Sequence, residues 1–419
     1  MRILSITPNP PARTQVNGGA TRQYHLYKRL IDLGHEVVVV APFPYGSRAT
    51  VDELRAEGFI VHEHMRPVSL AREVAAAVVR KPSLLFTAFR QSYTFLVGAV
   101  YWVDIGPIAK RVLAEGSFDV LCLDDYAAPW IDELGETPPT VLVNHQVDSA
   151  YNAHRAERRS GIARWRALGN ARHSLRMERK YTPRFSEVIC MSDDEVELLS
   201  EIVGDAMPPA RAIGNGADIE WLEDTGPDPD EHRVLFTGTM SFEPNAIGAQ
   251  WLGNEVWPLV RGLDPEATLD IVGRDPSPAT LALGEAPGIT VHASVPEMKP
   301  FFSSASVCTL PMREGGGTRL KLAEAFAARR AVVATTNGAT GVDVEAGRDL
   351  LIADSPSDFA AAIVDLLNDR ERRAQLAAAG HAIAVEQLNW KKLGDRWEST
   401  LLEVAARAQG QNPPARGSS

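Results

Sequence analysis

The chain carries ten short, almost uninterrupted apolar runs, each followed by a longer stretch of helical periodicity. This alternation constrains the fold more than any other feature. The first set is Arg2–Ile6, Glu36–Ala41, Asp119–Leu123, Thr140–Asn144 and Glu187–Met191; the second is Arg233–Thr237, Thr268–Val272, Ile289–His292, Ser306–Leu310 and Ala331–Ala334. A strand with one wet face alternates apolar and polar residues, whereas a parallel strand covered by helices on both faces does not. Strands alternating with helices make βαβ units. The pattern therefore predicts two α/β units, each with a parallel sheet. Residues 204–232 separate the two sets and carry Pro208, Pro209, Pro227 and Pro229, which marks an inter-domain region. The expected domains are 1–205 and 206–388, with a helix over 389–409 returning to the first domain and a disordered tail at 410–419.

Charge and composition exclude several classes. The net charge of −11 over 419 residues argues against nucleic acid as a partner. Cys122, Cys190 and Cys308 lie in apolar, strand-like contexts without CxxC spacing, so buried reduced thiols are expected and no zinc site. The first residues are broken by Pro8 too early for a signal peptide and read as a first strand. The longest apolar run, Thr94 to Val103, reaches only about half of the roughly 20 residues a membrane span needs. The expected location is the cytoplasm. Residues 68–104 mix Arg72, Arg80 and Arg90 with Leu84, Phe86, Phe89, Tyr93, Tyr101 and Trp102. Two readings stay open for them: helices covering one sheet face, or a basic amphipathic surface for an acceptor or for peripheral contact with the inner face of a membrane.

Two glycine-rich turns follow strand ends. Gly18-Gly19 sits between the first strand and a helical pattern through Tyr24, Leu26, Tyr27 and Leu30, closed by Gly34. It is either a plain tight turn or a place where backbone N–H groups meet an anion at a helix N-terminus. It is not a GxGxxG fingerprint, so a nicotinamide cofactor is not supported. The second turn is Pro311-Met-Arg-Glu-Gly-Gly-Gly-Thr-Arg-Leu-Lys-Leu-Ala-Glu-Ala-Phe326, which opens a helix at a strand's carboxyl end. Ligands of open α/β sheets bind at such ends. A diphosphate there meets the N–H groups of Gly316, Gly317 and Thr318 and the cations Arg319 and Lys321, and Glu324 is placed to accept from a ribose diol. The bland alternative is a glycine turn with a surface Lys321–Glu324 pair.

With these residues in view, the sequence resembles the retaining glycosyltransferases of family 4, which have the GT-B fold: two Rossmann-like parallel-sheet domains facing across a cleft. The subgroup it is similar to carries Gly-Gly-Gly-Thr-Arg-Leu-Lys followed by Glu-Ala, as in Gly315 to Ala325. Gly18-Gly19, Asn144-His145, Met177–Lys180, Val188–Ser192, Ile213–Asp218, Phe236–Asn245, Asp270–Gly273 and Val295–Met298 resemble successive family segments. The resemblance implies sugar transfer from a nucleoside-diphosphate sugar, UDP-linked rather than GDP-linked by preference, to an acceptor hydroxyl on a glycan, a lipid-linked sugar or a small molecule, with retention and without metal or other cofactor. It implies a nucleoside site at Gly238, Arg274, Val295, Met298 and Glu324, and a sugar contact at His145, which otherwise reads as a buried histidine satisfied by backbone. Asp148 is a candidate to orient His145 or touch the acceptor.

The departures from the family pattern are specific. The family's two glutamates, seven residues apart, map onto Gly316 and Glu324, so the first acid is missing and Glu314 is its candidate substitute. The family's Arg and Lys after the second domain's first strand fall near Thr239 and Pro244 or Asn245, so that diphosphate clamp is absent. The expectation is that Arg319 and Lys321 replace it. Asp124-Asp125 and Asp193-Asp194 read as solvated or capping pairs rather than a metal site. A UDP-sugar 2-epimerase of the same architecture and a non-catalytic nucleotide-sugar binder are the alternatives.

Overall fold

A computed structural model describes residues 1–13, 18–44, 47–66, 77–79, 93–314 and 320–411. The chain divides into two compact units. One comprises Met1–Ile213 together with Gly394–Ser419; the other is Gly214–Leu393.

The first unit holds seven parallel strands in the order β3-β2-β1-β4-β5-β6-β7: β1 (Arg2–Ile6), β2 (Glu36–Pro44), β3 (Ile60–Arg66), β4 (Val120–Asp124), β5 (Thr140–Val143), β6 (Glu187–Cys190) and β7 (Ala210–Ala212). The second holds six parallel strands in the order β10-β9-β8-β11-β12-β13: β8 (Arg233–Thr237), β9 (Thr268–Gly273), β10 (Ile289–Ala293), β11 (Val307–Leu310), β12 (Ala331–Ala334) and β13 (Leu351–Ile352). Both orders reverse direction once, between β1 and β4 and between β8 and β11. At such a switch point the connecting segments part to opposite faces and leave a crevice at the strands' carboxyl ends.

The helices that bear on the argument are α1 (Gly18–Asp32), α2 (Tyr93–Glu115), α3 (Asp148–Glu157), α4 (Gly161–Tyr181), α5 (Asp193–Val203), α6 (Glu243–Trp251), α7 (Leu320–Ala327) and α8 (Trp390–Ala408). In the first unit Leu4, Ile6, Leu121, Leu123, Leu142 and Val188 form the apolar centre with Trp102, Ile105, Ala109 and Val112 of α2. Trp102 stacks on Trp130 with ring centroids 4.9 Å apart. Helix covers sheet over this part of residues 68–104, while 67–76 and 80–92 lie outside the described residues. Among the described residues no helix is long and apolar enough to cross a membrane. All three cysteines are buried and unpaired with one another.

The strands that the apolar runs miss, β3, β7 and β13, all lie at sheet edges. An edge strand needs to satisfy only one neighbour and can be short or polar: β3 reads Ile-Val-His-Glu-His-Met-Arg, and β7 is three half-buried residues inside the stretch expected to be a linker. α8 makes ion pairs within the first unit, from Asp395 to Arg29, Glu398 to His35, and Glu403 to Arg211.

Candidate functional site

In the second unit, polar groups converge at the β8/β11 switch point. β8 ends at Thr237, and the Gly238 N–H still donates to Val272 O of β9 at 3.0 Å. The approach is close enough that a Cβ on Gly273 would lie 1.7 Å from Gly238 O. A Cβ on Gly238 would lie 2.8 Å from Lys321 Cε and 2.8 Å from Asn245 Nδ2. Gly238 therefore makes room for two side chains from different helices. Lys321 comes from the first turn of α7, which follows β11; Asn245 comes from the first turn of α6, which follows β8. Lys321 Nζ donates to Asn245 Oδ1 at 2.8 Å, and Asn245 Nδ2 donates to Thr239 O at 2.8 Å. Asn245 is buried. Its neutral amide aims the ammonium at the strand ends without cancelling its charge. An ammonium thus stands at the residue where the family pattern would have its own lysine.

Glu324 lies one turn further along α7 and keeps partial exposure. Burial raises its carboxyl to about 7, against the pull of Lys321. The surface-pair alternative for Lys321 and Glu324 is corrected on both counts: the lysine bonds to Asn245 and the acid is half-buried. Glu314 is buried in the loop after β11. Gly316, Gly317, Thr318 and Arg319 lie outside the described residues. Arg274 directly follows β9, and its carbonyl accepts from Met240 N–H at 2.8 Å. Val295 and Met298 pack, partly buried, against the apolar cluster that includes Phe302 and Leu322.

In the first unit, Gly18 and Gly19 form the first turn of α1. The acids gather at the β1/β4 switch point. Asp124, the last residue of β4, is 1% exposed. Its Oδ2 accepts from Thr7 Oγ1 at 2.6 Å and from Gln23 Nε2 of α1 at 2.7 Å. This corrects the solvated reading of Asp124: it ties β1, α1 and β4 together. Asp125 does cap backbone, accepting from His145 N–H at 3.0 Å and Tyr126 N–H at 2.8 Å. Asp193 and Asp194 are exposed in the first turn of α5, where acids favour the helix dipole.

His145 follows β5, with Nε2 3.5 Å from Asp124 Oδ2, long for a hydrogen bond. Burial lowers its pKa, but attraction to Asp124 and Asp125 outweighs this and raises it. Asp124, not Asp148, is therefore the acid beside the imidazole. Asp148 opens α3, is buried, and accepts only a 3.3 Å bond from Gln146 Nε2. Desolvation, then repulsion from Asp125 and Glu178, pushes it up to about 8.

That shift has a signed consequence. Unfolded, Asp148 titrates near 3.8; folded, near 8. Between those values the folded state holds the extra proton, so its contribution to stability declines as pH rises through this window. Asp148→Asn should leave the melting temperature nearly unchanged near pH 4 and raise it by several degrees at pH 8. A difference independent of pH would show that the carboxyl is not protonated in the folded protein.

Comparison with known proteins fits this architecture. The family described as Glycosyltransferase Family 4 matches residues 16–221, and Glycosyl transferases group 1 matches 231–369. A protein from the cps region of Klebsiella pneumoniae, described as uncharacterized, is 26% identical over 169 residues, which is 38% of this chain and 44% of that protein. Among solved structures, sucrose-phosphate synthase from Thermosynechococcus elongatus superposes with a TM-score of 0.66 at 15% identity, over 97% of this chain and 99% of that one. S. aureus TarM, in a complex with UDP, gives 0.66 at 11% over 96% and 100%. Anabaena HepE with UDP-glucose gives 0.60 at 15% over 96% and 99%. Two parallel-sheet Rossmann-like units with these matches define a GT-B protein. The chain belongs to the family 4/group 1 glycosyltransferases.

The sequence pointed to Lys321, Glu324, His145 and the glycine turns. It missed Asn245, Asp124, Thr7 and Gln23. Asp124 carried a signal, being an acid closing a strand run in line with His145. Asn245 carried none, because its role depends on Lys321 crossing from another helix.

Proposed function

We propose that the protein transfers a sugar from a nucleoside-diphosphate sugar, UDP-linked by preference, to an acceptor hydroxyl, with retention and without a metal. The observation that carries this is the Lys321 ammonium held by Asn245 beside Gly238 at the β8/β11 switch point. As the bond to the sugar breaks, negative charge grows on the leaving diphosphate. A cation fixed in advance where that charge develops stabilises the transition state without reorganisation. In this reading residues 315–319 and Lys321 replace the family's missing Arg/Lys clamp, and Glu324 holds the ribose. The partly proton-bearing range of Glu324, near 7, suits it to accept from or donate to the diol. The resemblance assigns His145 to the transferred sugar; Asp124 beside it favours the protonated imidazole, a donor to sugar oxygens.

The test is a panel of nucleotide-sugars screened by thermal stabilisation, since a ligand that binds only the folded state raises the melting point. The stabilising donor is then assayed for nucleoside-diphosphate release with and without acceptors. Release that needs an acceptor supports transfer. Release without acceptor supports the epimerase alternative, and no binding by any nucleotide-sugar removes the enzyme reading.

A further inference from the structure

The start of α4 presents an outward face unlike the rest of this acidic chain. Ile162 is 79% exposed and Trp165 is 75% exposed. From Arg158 to Met177 the sequence carries six arginines and no acid, although the whole chain has a net charge of −11. At about 100° per residue, Ile162, Trp165, Arg166, Arg172 and Arg176 fall within a sector of roughly 120°. Ala167, Ala171 and Ser174, which are buried, fall on the opposite side of the helix. Arg164, Arg166, Arg172 and Arg176 are exposed and make no side-chain hydrogen bond or ion pair among the described residues.

The packing of the unit is complete without this face. The buried side of α4 satisfies the fold, and a tryptophan left in water on the other side contributes nothing to stability. A partner must offer two things at once: an apolar layer shallow enough for one indole and one isoleucine, and a plane of negative charge around it. Nucleic acid offers the charge without the apolar layer, and an apolar protein groove offers the layer without the charge. A bilayer containing anionic lipid offers both. Indole rings settle at the headgroup level, and arginines around them meet lipid phosphates.

We infer that the outward face of α4, centred on Ile162 and Trp165 and flanked by Arg166, Arg172 and Arg176, docks this protein on an anionic lipid surface. The proposal does not depend on the donor chemistry above. The earlier candidate for membrane contact, residues 68–104, is a different segment and lies largely outside the described residues.

The experiment is flotation of the full chain with vesicles of phosphatidylcholine alone, and of phosphatidylcholine mixed with phosphatidylglycerol, at low and high salt. The wild type should float with the anionic vesicles, stay down with the neutral ones, and release as salt rises. Trp165→Ser should weaken partitioning about tenfold, and Arg166→Glu with Arg172→Glu by about thirtyfold or more. All these side chains are exposed, so melting temperature and nucleotide binding should stay at wild-type values in each variant. Wild-type protein that stays down with anionic vesicles overturns the proposal, as do variants that float as well as wild type. A Trp165-sensitive dimer in solution without flotation would assign the face to a second copy instead.

Discussion

Lys321→Glu should raise the dissociation constant for the preferred nucleoside diphosphate at least about a hundredfold, measured by calorimetry. The ammonium stands at the carboxyl ends of β8 and β11, fixed 2.8 Å from a neutral amide. Hydrogen bonds to charged groups contribute about 1.5–3 kcal/mol each, and tenfold in affinity corresponds to about 1.4 kcal/mol. The reversal removes such a bond and sets a carboxylate against the phosphates, so two decades is a lower expectation. Lys321→Met isolates the first part and should weaken binding about tenfold. It also leaves Asn245 Oδ1 without its donor, which should lower stability slightly. If Lys321→Glu binds the nucleotide as tightly as wild type, the diphosphate is held elsewhere and the replacement of the family clamp by Lys321 is wrong. A parallel loss in Asn245→Ala, with binding recovered in Asn245→Gln, would show that the amide acts by aiming the lysine.

How far the sequence reaches can be judged from these residues. Nine central strands and the β10 edge strand were legible because helices on both faces force continuous apolar runs; Arg2–Ile6, Arg233–Thr237 and Ala331–Ala334 coincide with β1, β8 and β12. The edges β3, β7 and β13 were not, because their residues answer to one neighbour and to solvent. At the site, Lys321 was legible because the charge follows a glycine-rich sequence after a strand run and opens a helix. Asn245 and Gln23 were not, since each acts across the sheet on a residue 76 or 101 positions away. Asp124 was misread because its pairing with Asp125 suggested a solvated turn. The strand in fact ends with Asp124 facing Thr7 and Gln23 inside, while Asp125 turns to the backbone of the next strand's end.

The two glycines at the end of β8 and β9 should separate the fold from the donor grip. Gly273→Ala places a methyl 1.7 Å from the Gly238 carbonyl oxygen. Both partners are backbone, held by the Gly238 N–H bond to Val272 O and by the Ser294 N–H bond to Gly273 O at 2.9 Å. No rotamer change relieves the overlap, so the strand ends must part, and a loss of about 3 kcal/mol or more is expected. This should appear as a melting transition lowered by many degrees or as failure to accumulate folded protein. Gly238→Ala differs in kind. Its methyl meets the tips of Asn245 and Lys321 at 2.8 Å. These side chains can swing aside, but Gly238 also sits at φ +159°, where an L side chain is strained, so the melting temperature should fall measurably but less than in Gly273→Ala. The ammonium is then displaced from the strand ends and nucleotide binding should weaken about tenfold or more. Equal melting losses in the two variants would mean that the strain at Gly238, together with Lys321 and Asn245, costs as much as the backbone overlap at Gly273. Unchanged nucleotide binding in Gly238→Ala would mean that the aim of Lys321 over this glycine does not matter for the donor.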